Sequence, residues 1–121
     1  MNILIADEFQ IYRYLFKTYV KRCWPNAVIS EVDDVQGASL HLLARHYDLI
    51  ILDILLPDSY KIEALIELAI GKTPVIVFSE NGVNLARMRK FHKLGVDTIL
   101  RKSDSIEEVL RAFKMVKMSS N

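Results

Sequence analysis

The stretch YDLIILDILLPDS (residues 47–59) decides the fold. Leu49, Ile50, Ile51 and Leu52 form an apolar run that does not alternate with polar residues. Such a strand must be covered on both faces, as in a parallel sheet with helices above and below. Asp53 follows directly, and Pro57 closes the segment. An isolated carboxylate at the end of a strand built for a dry interior is costly unless it has partners. Asp53 is therefore the first candidate functional residue.

The same pattern recurs outward from this segment. NILIA (2–6) and PVIVFS (74–79) are short apolar strands of the same kind, AVISEV (27–32) alternates as an edge strand does, and DTIL (97–100) is the fifth. Helical spacing separates them. Phe9, Tyr12, Phe16, Tyr19 and Cys23 make the first stripe, with Pro25 as a stop. Gly37 to His46 carries Leu40, Leu43 and Ala44 on one expected face. Ile62, Leu65, Ile66 and Ala69 end at Gly71, and Leu85, Met88 and Phe91 end at Gly95. Ile106, Val109, Leu110 and Phe113 form the last stripe, after the capping candidates Ser103, Asp104 and Ser105. Strand and helix alternate about five times, which right-handed crossovers turn into a parallel sheet with helices on both faces. One domain over residues 1–118 is expected, with a polar tail or the start of a linker at 119–121.

Composition agrees with one compact domain. The chain has 121 residues, of which 51% are hydrophobic and 26% charged, enough for a full core and too apolar for disorder. A net charge of +1 offers no electrostatic reason for direct nucleic-acid or membrane binding. Cys23 is the single cysteine and has no internal disulfide partner. No apolar stretch spans a bilayer, and MNILIADE lacks the basic start of a signal peptide, so a cytoplasmic domain is expected.

Each strand ends on polar residues: Asp7 and Glu8, then Asp53, Ser79, and Arg101 with Lys102. In an open parallel sheet these ends share one edge, and ligands bind where the strand order reverses. With order 2-1-3-4-5 the reversal falls between the first and third strands, so Asp7, Glu8 and Asp53 are expected to converge, flanked by Ser79 and Lys102. Crowded carboxylates repel unless a cation intervenes, and hard oxygen ligands suit Mg²⁺. With a lysine charge and a hydroxyl added, the set fits a small anion rich in oxygens. A phosphoryl group is one, and an aspartate can be its acceptor.

These motifs, ADE after the first strand, LDILLP, VIVFS and LRKS, occur in an order and spacing that resembles the receiver domain of bacterial two-component response regulators over essentially the whole chain. The resemblance implies a flavodoxin-like, doubly wound five-stranded parallel sheet of order 2-1-3-4-5, and supplies part of that order. It implies that Asp53 accepts a phosphoryl group from a sensor histidine kinase or phosphotransfer protein. It also implies that Asp7, Glu8, Asp53 and the carbonyl of Leu55 hold Mg²⁺ with water. Ser79 and Lys102 would bind the phosphoryl oxygens, and Ile99 occupies the position where an aromatic often swings in response. The face of the fourth helix, fifth strand and fifth helix would change partners, a homodimer being one. Such a domain is a phosphoacceptor rather than an enzyme, although it can catalyse its own phosphorylation and slow dephosphorylation.

The sequence departs from the family pattern at four places. Glu8 replaces a usual second aspartate, Lys61 a common glycine, Ile99 an aromatic, and Ser103 a frequent proline. Receivers attached to LuxR-like helix-turn-helix domains often have serine or an acid after the lysine, so the resemblance extends to that lineage. The departures support an alternative, a pseudo-receiver that binds partners without phosphate, whereas the intact set of Asp53, Ser79 and Lys102 supports the switch. A small phosphatase or nucleotide-binding enzyme would need a separate general acid or a glycine-rich loop, and neither is present. GKT (71–73) follows a helix and precedes a strand, the reverse of a phosphate-binding loop, with Ile66 where its first glycine belongs. His41, His46 and His92 lack ligand spacing.

Overall fold

The computed structural model describes residues 1–80, 84–96 and 98–116. Its elements are β1 (Asn2–Ala6), α1 (Gln10–Cys23), β2 (Val28–Val32), α2 (Val35–Ala44), β3 (Leu49–Asp53), α3 (Ile62–Ala69), β4 (Val75–Ser79), α4 (Leu85–Leu94), β5 (Thr98–Arg101) and α5 (Ile106–Met115). A 3-10 turn, Ser59–Lys61, leads into α3. The strands are all parallel, in the order β2-β1-β3-β4-β5. The expected tail at 119–121, the end of the domain at 118 and Asp97 at the head of the fifth strand lie outside the described residues.

The sheet explains the unbroken apolar run in β3. Side chains alternate across a strand, so Leu49 and Ile51 pack with Phe16, Tyr19 and Val20 of α1 and Val109 and Phe113 of α5. Ile50 and Leu52 face the other way, among Val35 and Ala38 of α2, Ile62 and Leu65 of α3, and Phe91 of α4. Both layers are dry, and all five β3 residues are buried.

Helix α2 corrects the sequence reading. Leu40 and Leu43 were expected on its apolar face, with Ala44; they are 60% and 70% exposed, while Val35 and Ala38 are buried. The helix begins two residues earlier than expected, and its start sets its rotation. Asp34 accepts from the Gly37 N–H at 2.7 Å, and Asp58 accepts from the N–H groups of Val35 (2.8 Å) and Gln36 (3.2 Å). These caps hold the first turn, and the stripe Val35, Ala38, Leu42 then meets the sheet. Gly37 permits that approach, since a Cβ there would stand 3.2 Å from the Cβ of Val32.

Helix α4 ends at Gly95, whose φ of 99° is left-handed. The N–H groups of Gly95 and Val96 return to the carbonyls of His92 and Phe91, a glycine-closed helix end. A side chain at that position would also collide with Ile70. Ser105 caps α5, accepting from the Glu108 N–H at 3.2 Å.

Candidate functional site

Strand register assembles the site. Ala6 pairs with Leu52, so the next residues, Asp7 and Asp53, stand side by side at the edge of the sheet. Asp53 pairs with Phe78, and Ser79 with Arg101. The ladders continue past the strand ends: Asp7 N–H to Val32 O (3.1 Å), Ile54 N–H to Phe78 O (3.0 Å) and Lys102 N–H to Ser79 O (2.8 Å). The loops after β1, β3 and β5 are thereby fixed at one edge. Asp7, Asp53 and Ser79 are each no more than 1% exposed.

Lys102 lies between the two acids, with Nζ 3.0 Å from Asp7 Oδ2 and 3.4 Å from Asp53 Oδ2. One ammonium therefore faces two carboxylates. Burial first, and the charge of Asp7 second, push the Asp53 carboxyl above the usual carboxylate range, against the opposing pull of Lys102 and the Leu55 N–H. Among the described residues, Asp7 Oδ2, both Asp53 oxygens and Ser79 Oγ are buried without a well-formed hydrogen bond. The Lys102 ammonium partly answers Asp7 Oδ2 and Asp53 Oδ2, which leaves Asp53 Oδ1 and Ser79 Oγ the least satisfied, where buried polar atoms ordinarily have partners. The other Asp7 oxygen accepts from the Phe9 N–H at 2.8 Å. Arg13 donates to the carbonyls of Asp7 (2.8 Å) and Glu8 (3.2 Å) and pairs with Glu31 at 3.1 Å, so α1 grips the β1–α1 loop.

The expected convergence of three carboxylates holds for two. Glu8 is exposed, and among the described residues no three His, Cys, Asp or Glu side chains gather closely enough to hold a metal ion. Neighbouring residues in extended chain project oppositely; Asp7 turns inward and Glu8 outward. The remaining donors still suit Mg²⁺, which takes one or two carboxylates and keeps water around it. Leu55 is exposed in the loop just after Asp53. Ile99 pairs with Val77 and is half-buried against the α2–α4 core. Lys61 has φ −97°, so the 3-10 turn needs no glycine there.

Two contributors escaped the sequence reading. Tyr12 packs against the core, as its place in the first stripe implies, and its ring also lies under Lys102, with Nζ 3.8 Å from the ring centroid, while its hydroxyl donates to Glu80 at 3.3 Å. Asp58 ties the loop after Asp53 to the start of α2. Burial pushes its carboxyl upward, but the N–H groups of Val35 and Gln36 outweigh this and hold it below the usual range. The only sequence signal was an acid directly after Pro57.

Residues 3–114 match the family model of the response regulator receiver domain, and the chain belongs to that family. The transcriptional regulatory protein ResD of Bacillus subtilis is 29% identical across 98% of this chain and 49% of its own length. The transcriptional regulatory protein SrrA of Staphylococcus aureus is 28% identical across 99% of this chain and 49% of its own. The chain thus spans about half the length of the curated relatives it matches. Among solved structures, the signal receiver domain of a Luxo repressor protein from Vibrio parahaemolyticus superimposes with a TM-score of 0.80 at 22% identity, covering 94% of this chain and 87% of that one. RcsB from Salmonella enterica serovar Typhimurium gives 0.79 at 19% identity, over 97% of this chain and 68% of its own. A response regulator from Burkholderia pseudomallei, with a phosphorylated aspartic acid and a calcium ion, gives 0.75 at 19% identity, over 94% and 66%. These structural likenesses are of fold.

Proposed function

We propose that this receiver domain is the phosphorylatable switch of a two-component system, with Asp53 as phosphoacceptor and a sensor histidine kinase or phosphotransfer protein as donor. The observation that carries the reading is Asp53 itself: buried, without a well-formed hydrogen bond on either oxygen among the described residues, and 3.4 Å from the Lys102 ammonium. An Asp53 oxygen attacks the phosphorus of a phosphohistidine, and the P–N bond breaks with its electron pair passing to the imidazole. Lys102 and the Ser79 hydroxyl meet the phosphoryl oxygens, as charge and hydrogen-bond donor. Phosphoryl transfer needs positioning and charge neutralisation more than acid–base chemistry. Asp7, Glu8, Asp53 and the Leu55 carbonyl, with water, would hold Mg²⁺, which supplies countercharge to the acids and the phosphoryl oxygens. Glu8 would reach it by turning its longer arm inward.

The same reading places the protein in the cytoplasm; among the described residues no helix is long and apolar enough to cross a membrane. The output face is α4, β5 and α5. Exposed Arg89, Lys90 and Lys93 on α4 and exposed Glu107 and Glu108 on α5 offer opposite charges to a second copy of the chain. Self-catalysed phosphorylation from a small donor and slow loss of the phosphoryl group belong to this proposal.

The outward Glu8 favours one other reading, a pseudo-receiver that binds its partner without phosphate. Intact mass after incubation with Mg²⁺ and acetyl phosphate separates the two. The switch predicts one added phosphoryl group, absent in Asp53→Ala. An unchanged mass, with equal partner binding by wild type and Asp53→Ala, leaves the pseudo-receiver.

A further inference from the structure

Lys102 has a neighbour whose presence neither metal binding nor phosphoryl transfer requires. Its side chain is only 6% exposed, with Asp7 and Asp53 accounting for two directions around the ammonium. The Tyr12 ring closes another, 3.8 Å from Nζ to the centroid. A lysine stem has four rotatable carbons, so the place of its charge is set by what surrounds it. An aromatic face attracts an ammonium, more strongly when water is excluded. The ring is itself held. Tyr12 stacks on Phe16 with centroids 6.3 Å apart, and Phe16 on Phe78 at 4.3 Å. Phe78 is the β4 residue paired with Asp53. A column of rings thus runs from beside the acceptor strand to the ammonium, and the Tyr12 hydroxyl reaches Glu80, the residue after Ser79.

We propose that Tyr12 is a positioning residue for Lys102: its ring face holds the ammonium where it meets the phosphoryl oxygens, and prevents it from turning to solvent. The role rests on the phosphoacceptor reading of Asp53. It lies in the ring rather than the hydroxyl, because the hydroxyl's hydrogen bond is long and exposed, while the ring faces an ammonium whose side chain is only 6% exposed.

Two substitutions separate the ring from the hydroxyl. Tyr12→Phe keeps the face; Tyr12→Leu keeps apolar bulk and removes the face. Two quantities are read: the chemical shift of the Lys102 ε-methylene protons, which a ring above them moves upfield, and the rate of labelling by acetyl phosphate with Mg²⁺. Wild type and Tyr12→Phe are expected to show the upfield shift and the same labelling rate. Tyr12→Leu is expected to lose the shift and label about tenfold more slowly, the scale of one desolvated cation–ring contact, with its far-ultraviolet circular dichroism unchanged. Wild-type labelling by a folded Tyr12→Leu overturns the proposal. Ordinary lysine shifts in the wild type do so as well, without any variant having to fold. A wild type that takes no phosphoryl group at all defeats the acceptor reading instead; the shift then decides alone whether Tyr12 holds Lys102.

Discussion

Asp48 and Asp53 bracket the same strand, five residues apart, and both are buried, yet they are treated in opposite ways. Asp48 precedes β3 at 8% exposure; its Oδ2 accepts the Asn2 N–H at 2.7 Å and its Oδ1 faces His46 Nε2 at 3.5 Å. Its own N–H donates to Asn2 O at 2.7 Å. Asp53 ends β3 at 1% exposure, shares one ammonium with Asp7 and makes no well-formed hydrogen bond among the described residues. An acid that accepts a short backbone hydrogen bond contributes to stability. A buried acid whose charge is only partly compensated opposes folding, and such an acid in a cleft is a candidate for chemistry. The two ends of one strand thus set a largely satisfied acid against a strained one.

The largest way to test that contrast is at Lys102. Lys102→Ala should fold and still bind Mg²⁺, but its labelling by acetyl phosphate should slow by about 10²-fold, the usual scale for losing one donor to developing charge. A rate equal to wild type breaks the assignment of Lys102 to the phosphoryl oxygens.

At the other end of the strand the effect should be on folding. Asp48→Ala leaves the Asn2 N–H without its acceptor and should cost about 1–3 kcal/mol in urea unfolding. The labelling rate of the folded protein should not change. A stability equal to wild type, or a labelling defect in the folded variant, removes the contrast.

A smaller effect of opposite sign is expected at Asp53. Its folded-state pKa is raised, by burial and then by Asp7. The folded protein therefore binds its proton more tightly than the unfolded chain does. Stability falls as pH climbs from the ordinary carboxylate range through the folded value, and the full penalty is present at neutral pH. Asp53→Asn has no proton to lose. It should be more stable than wild type in chelator at neutral pH by about 1 kcal/mol, a common result of removing buried charge. The gain should vanish in acid below the ordinary carboxylate range, and stabilisation by Mg²⁺ should be blunted. A lower melting temperature at neutral pH, with a full Mg²⁺ response, contradicts the shared-charge site.

The smallest effect concerns Ile99. It is branched at Cβ, stiff at χ1 and without a ring to rotate, and it packs half-buried in the core. Binding of a stable phosphoryl mimic should move amide signals at residues 79–92, a span whose positions 81–83 lie outside the described residues, and leave the Ile99 methyl signals nearly still. A large Ile99 methyl shift beside a silent α4 reverses that expectation.

How much was legible in advance follows from where the information resides. The apolar runs at 2–6, 49–52 and 75–78 are covered on both faces, as their lack of alternation requires, and Gly95 ends α4 as its place after Phe91 suggested. Asp7, Asp53, Ser79 and Lys102 could be named because each ends or directly follows its strand, and strand ends in a parallel sheet share an edge. Leu40 and Leu43 misled because a helix of ten residues carries more than one apolar stripe. The stripe that is buried depends on caps from Asp34 and, across the fold, from Asp58.

The residue pattern by itself determined the five strand–helix repeats, the two-sided burial of β3 and the presence of a charged edge. Those properties follow from local periodicity, which a chain carries wherever it folds. Tertiary structure alone decided that Glu8 turns outward while Asp7 turns in. It also decided that one lysine serves two acids, and that Tyr12, ninety positions earlier in the sequence, lies under that lysine. The direction of a side chain past a strand's end, and the company it meets there, are set by register and packing between distant segments. No local pattern encodes them.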